Sequence, residues 1–369
     1  MRKGSRNEIV NRHGKRFLSI LLACVLAFGW IIPVSAFADY EDENIIEVYF
    51  IGGQSNAVGY GYDDLEDEGY TDTEFTEGFD GTLFYGQYET LTDSCPNDFV
   101  SVQKGQGRCK TDGTLGSGAE LGIAYALSGT GTKSAVIKYA WGATFLAPDT
   151  TNSVSKSQGT WTSPSYIEKY DLDTNGGLIG QMYTGFLSTV EIGLEKLTDL
   201  GYKPVLKGMW WMQGEAETNS ASYSSAYTEL LTCFINDIRT DLTWITDEDQ
   251  MEMPFGIGKI YRNPEYDEHV YTETIREAQQ EVADSMTNVF TVDCTGLKQQ
   301  DGWHFYASSQ TWLGSQFIET IGAMEASEQD DDEDTDGGCF SLLGVTTGAS
   351  LLACILLVDA ALLCKKRRI

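Results

Sequence analysis

Ser55 directly follows an apolar run and lies in segment 51–57, whose sequence is IGGQSNA. A serine on a tight turn from a strand to a helix exposes its hydroxyl, and the N–H groups of the turn can face the oxyanion that develops during acyl transfer. The segment departs from the Gly-x-Ser-x-Gly pattern because Ala57 replaces the second glycine. Locally, Ser55 fits two interpretations equally well: a nucleophile, or the N-cap of a helix.

Histidine is scarce, with 3 in the chain, at positions 13, 269 and 304. His13 lies in a basic N-terminal segment, and His269 lies among acidic residues, where we expect a surface or helix-capping role. His304 ends segment 301–304 (DGWH), after the last predicted strand. The spacing lets Asp301 turn back onto the imidazole, fix its tautomer and stabilise the imidazolium. His304 is therefore the predicted base for Ser55, and a loop histidine in a polar turn is the alternative.

A polar cluster follows the central apolar run, in segment 210–217 (WWMQGEAE). Gln213 could donate its side-chain N–H to an oxyanion, and Gly214 beside it would let a substrate approach. Glu215 could act as an acid or base, but we favour a buried structural carboxylate. The two tryptophans are predicted core residues. The alternative for the whole segment is a helix start with a glutamate pair behind core tryptophans.

Alternating apolar runs and helical patterns must position these residues. The predicted strands are 45–51, 135–139, 205–212, 255–261 and 289–293, and the predicted helices are 119–127, 178–200, 223–239, 272–285 and 308–324. This alternation predicts a three-layer α/β/α sandwich with a central, mostly parallel five-stranded sheet. Sites form outside the carboxyl ends of such strands. Stretches 60–118 and 147–175 show little periodicity and predict long loops over the site.

The composition is that of a globular protein, since 41% of residues are hydrophobic, and it excludes disorder for most of the length. The formal net charge of −30 excludes nucleic-acid binding, which needs basic patches. An acidic surface also disfavours acidic substrates, whereas neutral sugars and their esters are compatible with it.

The two ends of the chain indicate its compartment. A basic stretch, an apolar stretch and Ala36-Phe37-Ala38 predict a signal peptide over residues 1–38, with an uncleaved anchor as the alternative. One domain is expected over 39–326, followed by an acidic linker over 327–338. Residues 339–369 combine an apolar run with the basic cluster 365–368. They predict a C-terminal transmembrane anchor that leaves the domain outside, or a sorting tail whose helix is removed.

The predicted domain contains four of the 8 cysteines. Cys95 and Cys109 flank a glycine-rich loop and predict one disulfide in an oxidising compartment. Cys233 and Cys294 are expected to be buried free thiols. No pair has the spacing of a zinc site, so the sequence implies no metal. It implies no other cofactor either.

Several blocks together resemble one family. Segments 53–56 (GQSN), 211–215 (WMQGE) and 301–304 (DGWH) are similar to the signatures of the sialate O-acetylesterase and acetylxylan-esterase group of SGNH hydrolases. Segment 118–122 resembles the Gly-Pro-Glu block of that group, with Ala119 in place of proline, and segment 139–144 resembles its glycine-rich block. The blocks keep the order of the family over about 45–320.

The resemblance implies an SGNH (flavodoxin-like) fold with Ser55 as nucleophile, His304 as base and Asp301 as the residue that orients the base. It also implies an oxyanion hole made of the Ser55 N–H, a glycine N–H and the Gln213 side chain. Gly118 is the preferred glycine and Gly142 the alternative. Asn56 and Glu215 are expected to support these groups from behind.

The implied function is that of an exported, surface-tethered serine esterase that removes O-acetyl groups from carbohydrate such as sialic acid or xylan. One alternative is an esterase for lipid or other acyl esters. Another is a non-catalytic glycan-binding module on the same fold, with Trp161 and Tyr166 stacking on sugar rings. The expected partners are the acetylated carbohydrate and, through the tail, a membrane.

Overall fold

The structure, a computed structural model, describes residues 44–90, 95–109, 113–262 and 270–333. A single sheet with strand order β3-β2-β4-β1-β5-β6-β7 forms its centre. The strands are β1 (Ile45–Gly53), β2 (Phe79–Tyr88), β3 (Val100–Val102), β4 (Ser134–Ala140), β5 (Lys203–Met212), β6 (Phe255–Lys259) and β7 (Val289–Asp293). All neighbouring pairs are parallel except β2 with β3. The predicted α/β fold is confirmed, and each of the five predicted strands is present.

The sheet has seven strands rather than the expected five. Strands β2 and β3 lie in stretch 60–118, for which long loops were expected. Glycines interrupt the apolar pattern of β2, and one of them is required by packing. A Cβ added at Gly86 would lie 2.6 Å from the carbonyl oxygen of Lys138 on the paired strand β4. The glycines that allow this pairing therefore conceal it in the sequence.

Helices cover both faces of the sheet. They are α1 (Ser55–Val58), α2 (Glu74–Glu77), α3 (Glu120–Leu127), α4 (Ser155–Gln158), α5 (Pro164–Lys169), α6 (Gln181–Asp199), α7 (Ala221–Thr246), α8 (Thr272–Ser285) and α9 (Ala307–Glu333). Successive side chains of a strand point to opposite faces. In β1, Val48 and Phe50 accordingly join the core under α6, α7 and α8, whereas Tyr49 and Ile51 join the core under α3 and α9.

The paired tryptophans follow the same alternation. Trp210 belongs to the core under α9 and Trp211 to the core under α7, and both are fully buried. Trp211 packs against Phe234 with ring centroids 4.4 Å apart. The core positions predicted for both tryptophans agree with this arrangement.

Several expectations fall wholly or partly outside the described residues. The predicted signal peptide, the tail 339–369 and His269 lie there. Helix α9 continues to Glu333, so it includes the first residues of the stretch expected to be an acidic linker. None of the described helices has the length and apolar character needed to cross a bilayer.

Candidate active site

A strained glycine turn presents Ser55 at the end of β1. Gly53 adopts φ 135°, and a Cβ added there would lie 2.1 Å from the carbonyl oxygen of Met212. Only glycine fits a position with this φ and this contact. Ser55 is the first residue of α1, whose N-cap is Gln54 and lacks a side-chain capping bond. The structure therefore does not use Ser55 as a cap.

A cleft of about 740 Å³ opens at the carboxyl ends of the strands. Gly53, Ala140 and Met212 are in register at the ends of β1, β4 and β5. The connections that follow these strands supply much of the wall, which includes Ser55 and Gly142. His304, from the connection between β7 and α9, lies on the same wall. The predicted location of the site outside the strand ends agrees with this cleft.

Asp301 fixes the orientation of His304. Its Oδ2 lies 2.8 Å from His304 Nδ1, and its Oδ1 accepts the backbone N–H groups of Trp303 and His304 at 2.8 and 2.7 Å. Burial alone would raise the pKa of Asp301, but the bonds from the His304 side chain and from these N–H groups lower its pKa to about 2. At neutral pH the ionised carboxylate of Asp301 therefore accepts a hydrogen bond from His304 Nδ1. The other ring nitrogen, Nε2, is then available to a group in the cleft.

Asn56 ties three connections together behind the cleft. Its Nδ2 donates to Glu215 Oε1 at 2.8 Å and to the carbonyl oxygen of Trp303 at 3.0 Å. Its Oδ1 accepts from the backbone N–H of Phe305 at 3.3 Å. The side chain next to Ser55 thus holds the loop that carries His304 and the loop after β5.

Glu215 contributes a buried carboxyl group to the cleft wall. Burial raises its pKa, and the bond from Asn56 and the charge of His304 oppose that rise. Its Oε2 has no hydrogen-bond partner among the described residues. The arrangement agrees with the structural carboxylate favoured from the sequence.

Gln213 does not reach the cleft, contrary to expectation. Its side chain is fully buried, and Nε2 donates to Glu217 Oε2 at 2.6 Å and to the carbonyl oxygen of Thr144 at 3.1 Å. Its Oε1 accepts from the Tyr227 hydroxyl at 2.8 Å. Both amide protons are used, so the arrangement leaves none for an oxyanion.

The two candidate glycines differ in position. Gly118 does not line the cleft, and its N–H donates to Glu120 Oε1 at 2.8 Å. Gly142, the alternative, lines the cleft, and its N–H donates to Glu89 Oε2 at 2.9 Å. The geometry therefore favours Gly142 over Gly118 as an oxyanion donor. In this structure the Gly142 N–H is hydrogen-bonded to the carboxylate of Glu89.

Three further residues on the cleft wall were not predicted from the sequence. The Tyr60 ring lies 4.7 Å from the His304 ring, and the Arg108 guanidinium lies 4.3 Å from the Tyr60 ring centroid. The Tyr60 hydroxyl donates to Glu89 Oε2 at 2.8 Å. These residues come from separate loops and from the end of β2, so their spacing in the chain carries no signal of their proximity.

The remaining expectations concern cysteines, metals and sugar-stacking aromatics. Cys95 and Cys109 do not form the expected disulfide, and Cys95 donates its S–H to the carbonyl oxygen of Tyr88. The described part of the chain contains no His, Cys, Asp and Glu cluster suited to a metal ion. Trp161 and Tyr166 are buried, so neither offers the exposed surface that sugar stacking needs.

A family model of carbohydrate esterases, described as sialic acid-specific acetylesterase, matches residues 45–322. The chain belongs to this family. The match extends from β1 into α9 and includes every residue of the site described above. The chain is therefore a carbohydrate esterase. No curated protein matches it in sequence.

Solved structures share the fold of this carbohydrate esterase. NanS is 15% identical with a TM-score of 0.54, and the alignment covers 77% of this chain and 98% of NanS. A protein from Arabidopsis thaliana is 16% identical with a TM-score of 0.51, and the alignment covers 75% of this chain and 98% of that one. At these identities the likeness shows the fold alone.

Proposed function

We propose that this chain is a serine esterase that removes O-acetyl groups from carbohydrate through an acyl-enzyme. One observation carries the proposal: Ser55 and an Asp301-oriented His304 line the same cleft at the carboxyl ends of parallel strands. The carbohydrate esterase family gives the class of substrate. An oriented imidazole beside a serine hydroxyl is the arrangement that nucleophilic acyl transfer needs.

In the proposed mechanism, Ser55 Oγ attacks the acetyl carbonyl carbon while His304 Nε2 takes the hydroxyl proton. The tetrahedral intermediate collapses as His304 returns that proton to the leaving sugar oxygen. Water then attacks the acetyl-serine, His304 takes the proton of that water, and Ser55 is regenerated with release of acetate. The carboxylate of Asp301 stabilises the imidazolium in both steps.

The oxyanion donors of this mechanism are the N–H groups of Ser55 and Gly142. Each such donor contributes about 2.7–4 kcal/mol to transition-state stabilisation. Because the Gly142 N–H now donates to Glu89, that carboxylate must yield when the oxyanion forms. The family resemblance placed Gln213 in this role, but its two protons have other acceptors.

Replacement of the nucleophile tests the proposal. Ser55→Ala should lower the turnover of p-nitrophenyl acetate and of acetylated sugars by about 10⁴-fold or more, because no acyl-enzyme can form. Acetate release is the measurement. Far-UV circular dichroism should be unchanged, since the variant removes one oxygen from the cleft wall.

The outcome separates this proposal from its rivals. Turnover that survives in Ser55→Ala would refute the serine mechanism. Serine-dependent turnover that rises with acyl length would indicate an esterase for lipid or other acyl esters. Glycan binding without turnover of any ester by the wild-type protein would indicate a binding module.

A further inference from the structure

The side chain of Gln54, the residue before Ser55, is almost wholly buried and yet forms part of the cleft wall. Its backbone is fixed by two hydrogen bonds: its N–H donates to the carbonyl oxygen of Met212 at 2.9 Å, and its carbonyl oxygen accepts from the N–H of Val58 at 2.9 Å. Only 4% of the residue is exposed. The position of its amide in the wall is therefore set by packing.

One end of the Gln54 amide is used and the other is not. Oε1 accepts the backbone N–H groups of Gly214 and Ala216 at 3.4 and 3.2 Å. Because a backbone N–H needs an acceptor, these two bonds decide which end of the amide is the oxygen. Nε2 has no hydrogen-bond partner among the described residues, and they do not enclose it. Since Gln54 lines the cleft, its unused N–H donors face that space.

The Gln54 amide lies on the side of Ser55 where an oxyanion donor was expected. The strand order β4-β1-β5 places Gly142, which follows β4, on one side of the serine and the loop after β5 on the other. The two bonds that Oε1 accepts hold the amide against that loop. Gln213 was expected to supply a donor from the same loop, but its amide protons are used in the core.

We propose that Gln54 Nε2 is the side-chain donor of the oxyanion hole, in addition to the N–H groups of Ser55 and Gly142. The proposal rests on the proposed function, because the oxyanion forms only when Ser55 attacks the acetyl carbonyl. As negative charge develops on the carbonyl oxygen, Nε2 donates an N–H to it and keeps the proton throughout. The anchored Oε1 holds this donor in place before the reaction, and preorganised donors of this kind stabilise the transition state most.

Gln54→Glu removes the donor and keeps the anchor. The carboxylate retains an oxygen for the N–H groups of Gly214 and Ala216 but presents an acceptor in place of the NH2 group. For p-nitrophenyl acetate we expect kcat and kcat/KM to fall equally, by about 10²–10³-fold, because the lost bond forms only in the transition state. Gln158→Glu is the matched control, since it adds the same charge to the cleft wall from the end of α4, and it should keep the wild-type kcat.

Gln54→Met separates loss of the donor from the added charge. Methionine has a similar size and no charge, and it offers neither the donor nor the acceptor. Urea unfolding should show a lower midpoint, because two backbone N–H groups lose their acceptor, while kcat of the folded protein should fall by about 10²-fold or more. An acetylated sugar should show the same loss as p-nitrophenyl acetate in both variants, because the two substrates share only the acetyl group.

Three results would overturn the proposal: a folded Gln54 variant with wild-type kcat, a loss that appears in KM instead of kcat, or a loss confined to the acetylated sugar. The last result would place Nε2 on a sugar hydroxyl. Ser55→Ala separates this proposal from the proposed function. Ser55-dependent turnover that survives both Gln54 variants leaves the serine mechanism standing without Gln54, whereas turnover that survives in Ser55→Ala refutes both.

Discussion

Glu217 supports the wall of the cleft from beneath. It is fully buried on the short turn after β5, and its Oε1 accepts the N–H groups of Leu146 and Ala147 at 2.6 and 3.1 Å. Its Oε2 accepts from Gln213. The carboxyl group thus holds both the loop that follows Gly142 and the amide that the sequence had placed in the oxyanion hole.

Titration of Glu217 should make stability depend on pH. Burial raises its pKa from 4.5 to about 7, against the opposing effect of its hydrogen bonds. Between these values the folded protein holds a proton that the unfolded chain has lost, so the free energy of unfolding should fall as pH rises from about 4.5 to 7. Glu217→Gln removes this contribution. Urea unfolding at several pH values should show the wild-type protein losing stability relative to the variant across that window.

A second carboxylate provides the control. Glu229 is exposed, and its hydrogen bonds with Lys169 and Tyr170 lower its pKa. Its contribution to the pH dependence of stability therefore lies at lower pH, and the difference in the free energy of unfolding between Glu229→Gln and the wild-type protein should stay constant from about pH 5.5 to 7. Parallel pH dependences for Glu217→Gln and the wild-type protein would contradict the role assigned to Glu217.

The structure brings the proposed reacting groups together more nearly as predicted than the donors around them. Ser55 and His304 line one cleft and Asp301 bonds His304, and scarcity and short spacing single these residues out in the sequence. Gln213 and Gly118 were assigned as oxyanion donors, but nearby glutamates take their protons. Which acceptor a donor meets depends on side-chain packing, and spacing alone does not determine it.

Three connections of the sheet meet at Asn56, and none of them is regular structure. The turn into α1, the loop after β5 and the loop between β7 and α9 do not pair with one another as strands. The Asn56 side chain joins them with bonds to Glu215, Trp303 and Phe305. Asn56 therefore helps to set the position of His304 relative to Ser55, together with Gln300, whose side chain bonds the backbone of Tyr60 and Tyr62.

Asn56→Ala should separate the elements that carry Ser55 and His304. It removes the Asn56 Nδ2 donor from the carboxyl group of Glu215 and the carbonyl of Trp303, at a cost of about 1–3 kcal/mol in the free energy of unfolding. We expect kcat for acetate esters to fall by about 10- to 100-fold, because small displacements of a base reduce the rate strongly. Chemical denaturation and steady-state kinetics give the two values.

Asn236→Ala is a matched control, since it removes an asparagine from α7 outside the cleft. It should leave kcat unchanged. A folded Asn56→Ala protein with wild-type kcat would show that the loop holding His304 is positioned without Asn56.

At the level of elements, the sequence identified those whose apolar runs are continuous. β1 and β5 are buried on both faces along much of their length, and this produces the apolar runs that predict them. β2 carries glycines at positions 81 and 86, and its second and third residues are exposed, so its apolar run is broken. Its partner β3 has only 3 residues, too few to show a period.

The cleft lies at one end of the molecule, and both ends of the described chain lie at the other. β1 begins at Ile45 and ends beside the cleft at Gly53. Helix α9 starts near the cleft, where the N–H of Ala307 donates to the carbonyl of Tyr62, and then runs back along the sheet. Near its far end, Glu325 forms an ion pair with Lys207 of β5, which also contacts Glu47 of β1. The described end of α9 therefore lies on the side of the domain away from the cleft.

We propose that the chain is exported and that residues 339–369, which lie outside the described residues, anchor it to a membrane. The full chain should sediment with membranes, and intact cells should hydrolyse an acetylated sugar that cannot enter them. Deletion of 339–369 should release the activity into the medium with kcat unchanged, because this segment lies beyond the domain that carries the site. Replacement of the basic cluster 365–368 by neutral residues should reduce membrane retention without affecting the cleft. Full-length activity that is soluble from the outset, or truncated activity that still sediments, would contradict the anchor.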